Sequence, residues 1–234
     1  MKKIVPLMLC LPVLAAAQMV LGPPLGHMMT SGHVYSQAAA SLSQDALRGD
    51  GKRRAKAPPA RQRSADAARP VVLDVRVGGA DVARVAHQLS TSFPPEHQSA
   101  AVQMYEALFK TYEGSYPKTL SGALAALLVG SYAAFNNVIV PDEQSLAVLK
   151  QFDQHIRQSP EGLHAIAAQD RKDAYVQMIM LGMQLMASTM QSQQAGVDPA
   201  PLQRLKAAGR RNLEGILKVP ASRVSIGPGG MRLD

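Results

Sequence analysis

The sequence predicts a mainly α protein: a single multi-helix domain of about six to seven helices, with a short N-terminal strand and a small C-terminal β-hairpin. Three observations carry this expectation. From residue 81 onward apolar residues recur at three- and four-residue spacing in successive segments. Proline, glycine and acidic start signals separate those segments. The chain has one cysteine and no tryptophan among 234 residues, so an apolar core rather than disulfides must hold it together.

Three regions are expected. Residues 1–17 read as a signal peptide: Lys2 and Lys3 form a positive start, Ile4 to Leu14 an apolar core, and Ala15-Ala16-Ala17 a small-residue cleavage site. Cys10 lies too early and follows Leu9, which does not suit lipoprotein processing. The apolar run stops at Gln18, short of the roughly 20 residues a membrane span requires. The expected location is therefore periplasmic or secreted, with no transmembrane span in the mature chain.

Residues 18–69 read as a disordered, basic segment rich in Pro, Ala and Gly, too poor in apolar residues to offset the entropy of ordering. The net formal charge of +8 is concentrated here: residues 48–69 contribute +6, while residues 70–234 are close to neutral at +1. The run at 48–63 has the charge density of a tether to anionic lipid, lipopolysaccharide or polyphosphate, and equally the composition of a solvated linker. No aromatic residue interleaves the basic ones to stack on bases, so nucleic acid is not an expected partner.

Residues 70–234 form the expected helical domain. Val71 to Val77 is a β-branched run closed by Gly78-Gly79 and reads as a short strand. A first helix is expected from Asp81 as N-cap, with Val85, Leu89 and Phe93 on one face. Pro94-Pro95 breaks it and opens a second, which Gly114 and Pro117 end. The third segment, Leu120 to Phe135, is apolar nearly all round, as in the middle of a bundle. Pro141-Asp142-Glu143 opens a fourth helix with proline and acids in its first turn. Its buried stripe is expected to be Leu146, Leu149, Phe152 and Ile156. Ser159-Pro160-Glu161 signals a short fifth helix through Ala168.

The sixth, about Asp170 to Gln193, has a narrow polar stripe of Asp173, Gln177, Gln184, Ser188 and Gln191, and five methionines between Met178 and Met190. It is expected to be the central helix. Asp198-Pro199 starts the last helix, ending near Pro220. The segments Arg223–Ile226 and Met231–Leu233 flank Gly227-Pro228-Gly229-Gly230 and read as the hairpin.

The stretches GSYAAFNN (130–137), PDEQSLAVLKQF (141–152) and QDRKDAYVQMIMLGM (169–183) resemble a family of exported, mostly helical proteobacterial proteins known only as a domain of unknown function. The resemblance spans roughly residues 81–226. It implies an all-helical exported domain and assigns no catalytic residue, cofactor or partner.

Candidate chemistry is sparse. Met183, Met186 and Met190 share a face, yet no histidine lies in their segment, and adaptable core packing explains them more simply than copper binding. His27-Met28-Met29 with His33 offers two imidazoles and two thioethers, a donor set for copper, in a segment without a structured second shell. Ser115 and Lys118 have the S-x-x-K spacing of penicillin-recognising enzymes with Pro117 between them, and neither companion motif, S-D-N or K-T-G, occurs. His87, His97, His155 and His164 fall on separate segments. No G-x-S-x-G, H-E-x-x-H or phosphate-loop motif is present.

The expected function is that of a non-catalytic interaction or self-association module of the cell envelope, with another envelope protein or a second copy as partner and with no cofactor. The alternatives are a carrier of a small apolar ligand between helices 120–135 and 170–193, and a periplasmic copper protein using His27, Met28, Met29 and His33. Purified from its own cell, the mature chain is expected to begin at Gln18. A mass spectrum that retains Met1 would overturn cleavage.

Overall fold

A computed structural model describes residues 75–158, 167–194 and 199–234. The expected signal peptide, the basic segment, the strand run before Val75 and most of the short helix expected from Ser159 lie outside the described residues. Val75 to Val77 are not part of a strand; the Val75 N–H donates to the Lys118 carbonyl at 3.0 Å, fixing where the chain enters the bundle.

The described residues form six α-helices and one hairpin: α1 Gly79–Ser90, α2 Pro95–Ser115, α3 Leu120–Asn136, α4 Asp142–Gln158, α5 Ala168–Ser192 and α6 Pro199–Leu217, then a 3₁₀ turn Ala221–Arg223 and strands β1 Val224–Gly227 and β2 Gly230–Leu233. The strands pair antiparallel, Val224 opposite Leu233 and Gly227 opposite Gly230. Helix α1 starts two residues earlier than expected. Asp81 is not its N-cap: it sits inside the first turn and its carboxylate reaches back to accept the Gly78 N–H at 3.1 Å.

The central helix is α3, not the methionine-rich α5. Fourteen of its 17 residues are buried, and α4, α5 and α6 all pack on it. Its apolar circumference has a direct cause. Ala123 and Ala126 face one core, shared with α1, α2 and α5, while Leu124, Leu127 and Leu128 face a second core shared with α4, α6 and the hairpin. A helix between two cores has no side left for polar residues. Thr119 caps it, its hydroxyl accepting the Gly122 N–H at 3.1 Å, and Asn137 ends it with a left-handed backbone (φ 53°).

Helix α5 is covered on two sides, by α3 and by α1 with α2, and half-open elsewhere. Met180 is fully buried, Met178, Met183 and Met186 are half-buried, and Met190 is exposed. A second correction falls on α4, where Val148 and Phe152 are fully buried and Leu146 is exposed. The three-residue step from Leu146 to Leu149 runs along the margin of the buried face, so spacing alone put it one position too far round.

The helices approach closely where glycines meet. A Cβ on Gly130 would strike the Gly182 carbonyl, and one on Gly182 would lie 2.5 Å from the backbone of Ala126. Gly209 of α6 meets the α3 backbone at Ser131 and Phe135 in the same way. Backbone atoms cannot yield as a side-chain tip can. Gly130→Ala and Gly182→Ala are each expected to cost about 1–3 kcal/mol, whereas Gly114→Ala, with nothing near its Cβ position, gains up to about 1 kcal/mol from helix propensity. Urea unfolding of the three variants measures the contrast.

Candidate functional site

Helices α4 and α5 both lean on α3 without extensive contact with each other, and this leaves a groove over α3. Its floor is one stripe of α3, Gly122, Ala125, Ala126 and Val129, whose spacing puts them on one face. Ser145 and Leu149 of α4 form one wall and Met186 of α5 the other. Tyr112 and Tyr116 close one end, their rings stacked at 5.1 Å between centroids. Gly122 makes room for them: a Cβ there would lie 2.5 Å from the Tyr112 hydroxyl.

The aromatic end is polar only at its hydroxyls. Tyr112 donates to the Pro117 carbonyl at 3.4 Å, and Tyr116 makes a long contact of 3.5 Å with the Asp142 carboxylate. Behind them Tyr175 donates to Glu113 at 3.4 Å, and Glu113 pairs with Lys118 at 3.0 Å. Burial pushes the Tyr112, Tyr116 and Tyr175 phenols up. The nearby Tyr116 and Glu113 push Tyr112 further, as Asp142 does Tyr116 and Glu113 does Tyr175. They therefore stay protonated near neutrality and act as hydrogen-bond donors, not as bases.

Beyond the groove large apolar side chains are exposed. Val138 and Ile139 lie in the loop between α3 and α4, Leu146 one turn into α4, and Met190 one turn beyond Met186 on α5. The Asn137 side-chain carbonyl accepts the Ser192 hydroxyl at 2.7 Å, and the Asn137 main-chain carbonyl accepts from the Gln193 amide at 3.0 Å. These bonds hold the end of α5 beside the loop. All four exposed large hydrophobics of the described residues thus gather at one end of the bundle. No charged residue occurs in α3 or in α5 after Asp173, and Asp142 and Glu143 supply the charge at the rim.

A second constellation lies at the start of α5. Arg84 of α1 makes a bidentate pair with Asp173, at 2.5 and 2.6 Å, and also reaches Asp81 at 3.3 Å. Gln169 donates to both carboxylates, and Lys172 lies 3.6 Å from Asp81. The Gln169 and Gly78 donors chiefly hold the Asp81 carboxyl down at about 2, and Arg84 holds Asp173 below its ordinary value. Each charge is matched by an opposite one, so the cluster clamps α1 to α5.

The residues singled out by spacing are distributed as follows. His27, Met28, Met29, His33, His164 and the basic run 48–63 lie outside the described residues. Ser115 is exposed and Lys118 is engaged by Glu113, so the S-x-x-K pair is not assembled. His87, His97 and His155 stand on α1, α2 and α4, apart from the groove. No group of three or more His, Cys, Asp or Glu suited to a metal ion occurs among the described residues. The seam between α3 and α5, where an apolar ligand was the alternative, is backbone contact at Gly130 and Gly182. The groove beside it encloses about 20 Å³, room for about one water. Spacing missed the Tyr112–Tyr116 stack and the exposed loop. The second had a signal, since Val138-Ile139-Val140 is an apolar run outside any helix face.

These features define a class: a mainly helical bundle with a small C-terminal hairpin, in which no described helix is long and apolar enough to cross a membrane. The chain belongs to DUF6683, a family of unknown function, which it matches over residues 4–234. That match is wider than the resemblance at 81–226 and takes in the segment before the bundle. No curated protein and no solved structure matches the chain.

Asp81 titrates below its ordinary value of 3.8, so the clamp is complete above that value and is lost as pH falls through about 2. The thermal midpoint is expected to fall across this window, and Asp81→Asn to flatten that part of the profile. Because Arg84 and Lys172 reach solvent, added salt should shrink the effect. Unfolding midpoints recorded from pH 2 to pH 6 at two salt concentrations check it.

Proposed function

We propose that this chain is an exported, non-catalytic module of the cell envelope, periplasmic or secreted, that works by protein–protein contact through the apolar end of α3, α4 and α5. One observation carries the reading: Ile139 (58 % exposed), Met190 (41 %), Leu146 (40 %) and Val138 (39 %) stand at one end of the bundle, on the segments that flank a groove with an uncharged floor. Scattered apolar residues on a surface need no explanation, but large ones confined to one end of a bundle suit a contact surface. The half-buried methionines at its edge suit a surface that adapts its shape. The signal-like residues 1–17 support export, which would bring this end to partners in the envelope.

A second copy is the simplest partner, because a two-fold contact sets the same patch against itself. Sedimentation velocity of residues 18–234 over a range of concentrations is expected to show a reversible dimer. Ile139→Asp and Leu146→Glu, both at exposed positions, should return it to a monomer with its unfolding midpoint unchanged. A monomer at every concentration in the unaltered chain would remove self-association.

A further inference from the structure

We infer that Met190, with Met186 behind it, is a methionine-oxidation site that turns the apolar end polar. The inference rests on the contact reading above and adds its regulation.

Three observations carry it. Residues 11–234 contain no cysteine, so every sulfur there is a thioether and oxidants that attack sulfur find only methionine. The described methionines differ sharply in access: Met180 is 0 % exposed, Met231 1 % and Met104 4 %, whereas Met190 is 41 % exposed. Finally, Met190 is the one methionine among the four exposed large hydrophobics, and Met186, one turn before it, forms a wall of the groove. The oxidisable sulfurs are thus placed where a change of polarity alters contact, while the core methionines are shielded.

The oxidant is a hydroperoxide. The thioether sulfur attacks the hydroxyl oxygen of the peroxide, an S–O bond forms as the O–O bond breaks, and the proton of that hydroxyl passes to the other oxygen, which leaves as water or alcohol. Sulfur loses two electrons and the peroxide gains them. The product sulfoxide is a strong hydrogen-bond acceptor. Facing a partner's apolar surface, its oxygen would have no donor, so contact is disfavoured. A methionine sulfoxide reductase reverses the change.

The test uses residues 18–234, hydrogen peroxide, peptide mass mapping and an apolar fluorescent dye as probe. Met190 should oxidise about tenfold faster than Met180, and Met186 at an intermediate rate. Dye binding and dimer content should fall together with Met190 oxidation. Met190→Leu, close in volume and apolar, should keep both and resist peroxide; Met190→Gln should lose both without peroxide. Oxidation of Met190 no faster than Met180, or equal peroxide sensitivity of the Leu variant, overturns the inference. Absence of any dimer before peroxide overturns the contact reading instead, and the oxidation order and dye response still decide the present one.

Discussion

The structure depends on the contact between α3 and α5, where Gly130 and Gly182 let two backbones meet without side chains between them. Side chains flanking such a crossing interlock at short range, which favours dispersion contacts over a longer stretch of both helices. The same crossing fixes where everything else can go. With α5 pressed to one face of α3, α1 and α2 close the first core on the far side of α5, and α4, α6 and the hairpin close the second across α3. Gly209 repeats the device on α6, so α3 is gripped by neighbours at two points of backbone contact.

This arrangement accounts for the groove. Neighbours that share α3 through small residues cannot also cover it fully, and α4 and α5 remain apart above the Gly122–Val129 stripe. The polar side of the fold is elsewhere. Arg84, Asp81 and Asp173 secure α1 to α5, and Ser121 donates to Asp153 at 2.9 Å, joining α3 to α4. Charges settled by partners at those positions leave α3 and the later turns of α5 uncharged, with Asp142 and Glu143 at the rim, and that contrast gives the surface its direction.

Much of the fold was legible in the sequence because helix starts and stops are local. Pro95, Leu120, Asp142 and Pro199 mark helix beginnings where they occur, and the Gly-Pro-Gly-Gly turn located the hairpin. Rank within the bundle was less legible. The methionine-rich segment is apolar on most of its circumference, and apolarity does not say whether a face is covered. Met190 and Leu146 look like core positions by spacing and are exposed. The decisive signal for the centre was the small-residue content of α3, since a helix contacted at backbone distance cannot carry bulk. The groove joins residues from α2 to α5, separated by up to 74 positions, from Tyr112 to Met186, and no local pattern encodes such a meeting.

The hairpin has an unusual neighbour. The Met231 N–H donates to the Gln151 side-chain oxygen at 2.9 Å, and the Gln151 amide donates back to the Met231 carbonyl at 3.0 Å. Gly230, at φ 98°, also accommodates that amide, which a Cβ would approach to 2.6 Å. One glutamine therefore imitates a third strand along β2 and blocks that edge from templating the stacking of other chains. It also ties β2 to a helix 80 positions earlier in the chain, so the hairpin finds its place only after α4 has formed and a long loop has closed.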